Sequence, residues 1–389
     1  MQLLNVNIVG QQGLKHFYVE RDKINMLATD DQSLPFSVND IRLSFNGALA
    51  FPGLINSHDH LDFNSFLQTG NRIYNNYIEW GADIHRNNKA EINSILKIPE
   101  PLRIRWGIYK NLLAGITTVV NHGNRLKIDT DLIDVFQECQ SIHSVGRGKN
   151  WKFHLNRFYG RKQPVVIHIG EGTDDEARRE TDQIIKWNFF KRDIIGIHGV
   201  AMNEKQAASF KALVWCPVSN DFLLGKTAAI DFLKQRTTIL FGTDSTLTAS
   251  WNIWDHLRLA REKNLLSDAG LFDSMTAAPA AIWNLHDRGS LVEGQLADIV
   301  IAKPGINPGT WNAFYNLNPE DILLIIHRGN IRLFDIELLR QLKKANIPLA
   351  KYSPIYINGV TKYVEGDLPG LMKGINQYNN QINFPVTGE

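Results

Sequence analysis

His58, Asp59 and His60 are the first residues in this chain whose types and spacing suit chemistry. Side chains two apart on a strand point the same way, so the imidazoles of an HxH can converge on one divalent ion at roughly 2.0–2.1 Å. Alone, such a pair says little, because a buried histidine is more often a hydrogen-bonded core residue. Its setting adds weight. VVIHIGEG, IIGIHGV and ILFGTDS place His168 with Glu171, His198, and Asp244 directly after runs of apolar β-formers. If these groups only packed, each would be desolvated for no gain, so a shared metal centre is the better account.

Those residues need strands to carry them and helices to cover the strands. ALAFPGLINSHDHL reads as a buried strand ending in chemistry. Beyond it, apolar β-branched runs alternate with segments of helical spacing. GITTVVNHGN, SIHSVG, PVVIHIGEG, DIIGIHGV, LVWCPVSN and TTILFGTDS are the expected strands. PLRIRWGIYKNLLA, LIDVFQECQ, ARRETDQIIKWNFF, NEKQAASFKA, AAIDFLKQ, WDHLRLAREKN and LFDSMTAAPAAIWNL are the expected helices. Continuous apolar strands in repeated βα units indicate a parallel sheet buried on both faces, either doubly wound or closed into a TIM barrel. In both cases function sits at the carboxyl ends of the strands. Residues 1–49 read as short strands, and strand-like segments with turns resume after 288. The expectation is therefore an α/β chain, with a (β/α)8 TIM barrel at 50–287 and a small β-sandwich module built from both chain ends, 1–49 plus 288–389. The tail INQYNNQINFPVTGE reads as loop. The stretch 122–164 is tight for two full βα units, so the third or fourth unit must be abbreviated.

Composition narrows the partners. With 389 residues, 43% hydrophobic and 21% charged, the chain can bury a sizeable core. The net charge of +2, with no long basic run, gives no support for nucleic-acid binding. Two separated cysteines, Cys139 and Cys216, fit a reducing compartment rather than a disulfide framework. No signal peptide and no membrane span are expected, and the cytoplasm is the default location.

These landmarks, taken in order, resemble the amidohydrolase superfamily. PGLINSHDHL is similar to its first-strand signature and GITTVVNHG to its second strand. His168, His198 and Asp244 match its fifth-, sixth- and eighth-strand positions, and CPVSN, TAAPAAIWNL and GSLVEGQLADIVI match later landmarks. The spacing His168-Ile169-Gly170-Glu171 resembles the HxxE of the mononuclear cytosine-deaminase and triazine-chlorohydrolase branch. The resemblance implies one divalent ion, zinc or iron, held by His58, His60, His168 and Asp244. Glu171 is then the proton shuttle and His198 orients and polarises the attack. The implied reaction is hydrolytic deamination of an amino-substituted heterocycle by metal-activated hydroxide, with Asp244 as both ligand and hydrogen-bond acceptor. Hydrolysis of a cyclic amide or loss of another leaving group such as chloride are the rivals. The cyclic-amide branch expects a second metal and a bridging residue, for which Lys149, Lys152 and Lys162 lie in the right region but on no convincing strand. The competing reading of Glu171 is a surface carboxylate in the acidic EGTDDEARRE run.

Other positions carry two readings each. His122 and Asn124 follow the second strand and could contact substrate, or His122 could bond a backbone carbonyl. Asn220 and Asp221 follow the seventh strand and line the pocket or form a turn. Trp80 and Trp251 could stack on a planar ring or pack in the core. Asp59 and Asp62 support the HxH or shape its loop. His143 carries no functional expectation. The partner expected is a small heterocyclic substrate, with a homo-oligomer suggested by fold analogy alone.

Overall fold

A computed structural model describes all residues except 36–40, 159, 161, 306–309 and 389. Two parallel sheets carry the middle of the chain. One runs Leu54–Asp59, Ile116–Asn121, Asp134–Phe136; the other runs Gln140–Ile142, Val165–Ile169, Ile194–His198, Ala212–Trp215, Thr238–Phe241. Every pairing within them is parallel, with Ile197 opposite His168 and His198 opposite Ile169. The apolar runs explain the burial: every residue of the strands bearing His58, His168 and His198 is buried. The Asp244 amide donates to the His58 carbonyl at 3.0 Å, joining the end of the last strand's segment to the first strand.

The remaining strands form one ten-stranded sheet drawn from both chain ends. Gln2–Ile8, Leu14–Glu20, Lys23–Ala28 and Arg42–Pro52 lie beside Ile299–Ala302, Ile322–His327, Asn330–Asp335, Val360–Glu365, Tyr352–Ile357 and Thr387–Gly388. Arg42–Pro52 and Ile299–Ala302 pair antiparallel, so the chain leaves and re-enters this sheet through neighbouring strands.

Four expectations need correction. LIDVFQECQ is not a helix: Asp134–Phe136 is a strand, followed three residues later by Gln140–Ile142. Short apolar runs fit both periods, and the β-branched Val135 beside Phe136 favours the strand. The third unit is thus the abbreviated one, lacking its helix, and among the described residues the fourth has the short helix Trp151–Asn156. The expected strand LVWCPVSN stops at Trp215, because Pro217 starts the helix Pro217–Leu224. LFDSMTAAPAAIWNL divides into helices Asp268–Asp273 and Ala277–Ile282, and the tail segment begins inside the helix Leu368–Asn376.

The helices flanking the strand ends are capped by their own sequence. Asn76 accepts from the amides of Ile78 and Glu79 and so starts the helix Tyr77–Asn87. Asp174 accepts from Ala177 and starts Asp175–Trp187. The two caps bond each other, Asn76 Nδ2 to Asp174 Oδ2, at 2.5 Å. The Tyr77 amide donates to the Glu171 carbonyl at 3.1 Å, which fixes the loop carrying Glu171.

Candidate metal centre and pocket

His58 lies inside its strand, and His60 stands one residue beyond it, at the start of the turn Leu61–Phe63. Their rings meet that of His168. His58 Nε2 and His168 Nε2 are 3.4 Å apart, and Asp244 Oδ1 lies 3.6 Å from His58 Nε2 and 3.8 Å from His60 Nε2. Four ligand atoms around one ion at roughly 2.0–2.1 Å would stand about 3.3 Å apart in tetrahedral geometry, close to these separations.

Protonation states sharpen the fit. His168 Nδ1 donates to the His143 carbonyl at 2.8 Å, so its Nε2 carries a lone pair aimed at His58 Nε2. A cation between the two ring nitrogens would be ligated by both lone pairs if His58 carries its proton on Nδ1. Burial, reinforced by neighbouring imidazoles, holds His60, His122 and His168 below the ordinary histidine pKa, which leaves them neutral donors. Burial alone would raise the Asp244 pKa, but the hydrogen bond from His58, with the nearby imidazoles of His60 and His198, holds it well below the usual carboxylate range. Asp244 Oδ2 accepts from Ser219 Oγ and Thr248 Oγ1, both at 2.9 Å, which leaves Oδ1 facing the histidines. Neutral imidazoles with one carboxylate form a donor set for a divalent first-row metal.

Beside this cluster Glu171 is buried, and desolvation, with the charge of Asp244, raises its pKa well above the usual carboxylate value. Its Oε1 lies 3.6 Å from His198 Nε2, an atom without a hydrogen-bond partner. His198 Nδ1 bonds Asn220 Oδ1 at 2.9 Å, which puts the ring proton on Nδ1 and the lone pair on Nε2. Burial lowers the His198 pKa to about 4.

The pocket above is lined by His60, Phe63, Tyr77, Trp80, His143, Arg147, His168, Glu171, His198, Asp244 and Leu247. Among the less certain positions, His122 joins the cluster, its ring centroid 4.4 Å from that of His168 and Ser141 Oγ 3.2 Å from its Nδ1. Asn124 is exposed away from the pocket. Asn220 stands behind His198 on the helix Pro217–Leu224. Trp251 lines a separate hollow with Phe66, Trp106 and Phe384. Asp59 and Asp221 make ion pairs with Lys110 and Lys263. Lys152 covers the Trp187 ring at 4.1 Å and Lys149 and Lys162 are exposed, so among the described residues no lysine lines the pocket. Sequence reasoning missed His143, Arg147, Tyr77 and Phe63. Only His143 had a legible signal, as the polar residue directly following a strand.

Comparison with known proteins gives a family match and a shared fold. An amidohydrolase family model matches residues 160–332. A zinc-bound adenosine deaminase from Xanthomonas campestris shares the fold with a TM-score of 0.67 at 14% identity, covering 88% of this chain and 96% of that one. An atrazine chlorohydrolase from Arthrobacter aurescens complexed with zinc gives 0.66 at 15%, covering 88% and 98%. A guanine deaminase from C. acetobutylicum with guanine in its active site gives 0.64 at 14%, covering 85% and 99%. No curated protein matches the sequence. The resemblance to the amidohydrolase superfamily read from the strand-end residues is thus borne out by a family match over residues 160–332, and the fold is shared with the deaminase and chlorohydrolase structures above.

Proposed function

We propose that this chain is a metal-dependent hydrolase that deaminates an amino-substituted heterocycle, using one zinc or iron ion held by His58, His60, His168 and Asp244. The observation that carries the reading is the convergence of three imidazole nitrogens and one carboxylate oxygen beside a buried Glu171 whose pKa desolvation raises. When bound, the ion supplies the Lewis acidity that makes a water nucleophilic at neutral pH. Glu171, as a carboxylic acid, donates its proton to a ring nitrogen and then carries the water's proton to the departing ammonia. His198, neutral with its lone pair on Nε2, accepts a hydrogen bond from the attacking water and so orients it.

The eight parallel strands and the bond from Asp244 to His58 support a (β/α)8 barrel over 50–287. The shared ten-stranded sheet supports a β-sandwich module of 1–49 with 288–389. Two free cysteines support a cytoplasmic location. Among the described residues, no helix is long and apolar enough to cross a membrane.

Metal content and ammonia release from aminopurines, aminopyrimidines and aminotriazines test the reading. One ion per chain and ammonia from at least one ring are expected. Asp244→Ala should lose the ion, whereas Glu171→Gln should keep it and lose about 10²–10⁴-fold in rate. Two ions per chain, or full activity in Glu171→Gln, would overturn the assignment.

A further inference from the structure

Arg147 is the one cationic side chain lining the described pocket apart from its histidines, and the mechanism above gives it no task. Among the described residues its guanidinium makes no ion pair and no hydrogen bond. Other exposed arginines, such as Arg86 and Arg179, also lack partners, but Arg147 alone among the described arginines lines this pocket.

Its placement is built. The Gly146 amide donates to Tyr77 Oη at 3.1 Å, and that hydroxyl donates to Glu180 Oε1 at 2.9 Å. The Arg147 amide donates to Ser144 Oγ at 3.2 Å, and the Gly148 amide to the Ser144 carbonyl at 3.0 Å. The loop is therefore tied both to the helix Tyr77–Asn87 and to itself. Gly81 on that helix clears the path: a Cβ there would collide with the guanidinium. A guanidinium that shares the pocket lining with Phe63, Trp80 and Leu247 offers a planar fork beside apolar surface for a ring.

We propose that Arg147 is a specificity-determining residue that binds an anionic substituent, a carboxylate or a phosphate, on the heterocyclic substrate. This rests on reading the site as a heterocycle hydrolase. A neutral ring alone leaves the fork without a partner that matches its charge, whereas an acid group satisfies both of its parallel donors.

Calorimetry on the metal-loaded protein tests this with matched rings: uracil against uracil-5-carboxylate and uracil-6-carboxylate, and adenosine against its 5′-monophosphate. At least one acid-bearing ring should bind tenfold or more tightly than its neutral parent, and the pair that shows it separates carboxylate from phosphate. That ratio should fall to near one in Arg147→Met and recover in part in Arg147→Lys. It should also fall in Gly81→Val, which leaves the arginine in the chain but pushes it aside. A ratio near one for every pair in the wild type, no binding by any acid-bearing ring, or a preference that survives Arg147→Met overturns the assignment. Ammonia release from cytosine, cytosine-5-carboxylate, adenosine and its monophosphate separates the two readings. Release without acid preference sinks the role of Arg147 alone. Acid preference in binding without release from any ring sinks the deaminase reading alone.

Discussion

Replacing Lys110 with methionine should destabilise the protein through a charge buried beneath the histidines. Lys110 Nζ lies 3.0 Å from Asp59 Oδ2 and 3.3 Å from Thr243 Oγ1, and both ionic partners are essentially inaccessible to solvent. Asp59 separates the two HxH histidines and Thr243 precedes Asp244, so one ammonium ties together the two segments that carry the proposed ligands. Breaking a buried pair costs about 3–5 kcal/mol, because the survivor keeps an uncompensated charge. Asp59 would still accept from Asn64 Nδ2 at 2.9 Å and Asn111 Nδ2 at 2.8 Å, which places the loss at the lower end, about 3 kcal/mol. At roughly 2.1 cal/mol/K per residue, 389 residues unfold with about 0.8 kcal/mol/K of entropy, so Tm should fall by about 4 °C. Calorimetric melting of the metal-loaded and chelated proteins measures this. Lys110→Met with Asp59→Asn removes both charges and should recover most of the loss, whereas Asp59→Asn alone should not. A Lys110→Met protein that melts with the wild type, or a double variant no more stable than the single, would refute the account.

Two further outcomes follow from the hydrogen bonds around the site. Asn220→Leu removes the acceptor that fixes the His198 tautomer. Steady-state rates should fall about tenfold, the worth of one hydrogen bond near 1.4 kcal/mol, with metal content unchanged; loss of the ion instead would place His198 among the ligands. Glu180, behind the Arg147 loop, is raised by burial to a pKa of about 7. A raised carboxylate pKa means that the folded state holds a proton the unfolded chain has released. The stability tied to it is complete below the unfolded value and is lost as pH rises through about 7. Glu180→Gln should therefore raise Tm relative to the wild type at pH 8 but not at pH 4; an equal change at both would mean that Glu180 is charged throughout.

The strand-end residues were legible because a buried parallel strand leaves a plain mark: an unbroken apolar run that stops at a polar group. His58, His168, His198 and Asp244 all carry it, and they converge. His143 carries it faintly, since Gln140–Ile142 is too short to show a period. Arg147 has no such mark, because its place depends on Gly81 and Tyr77, far away in sequence. Asn220 reads as following a strand and Trp251 as a ring that stacks on substrate or packs in the core, but Pro217 starts a helix that turns Asn220 behind His198, and Trp251 lines another hollow. What a strand delivers to its end is readable; what a loop brings across the top is set by packing among distant segments.

The backbone at two of these strand ends opposes local preference. His198 has φ of +73° and Asp244 of +58°, left-handed values that cost a residue with a Cβ about 1–2 kcal/mol each. The adjoining strands hold them there. The Gly199 amide bonds the Ile169 carbonyl at 3.0 Å and the Asp244 amide bonds the His58 carbonyl at 3.0 Å, so relaxing either turn would leave buried backbone groups unpaired. Glycine would remove the strain at both positions, and the neighbouring turns use it: Gly170 and Gly199 take φ of +60° and +63°. A histidine and an aspartate take the same conformation without that freedom. What they supply is a ring nitrogen and a carboxylate oxygen turned toward one point, and that is the physical reason to read these strained positions as the working part of the site.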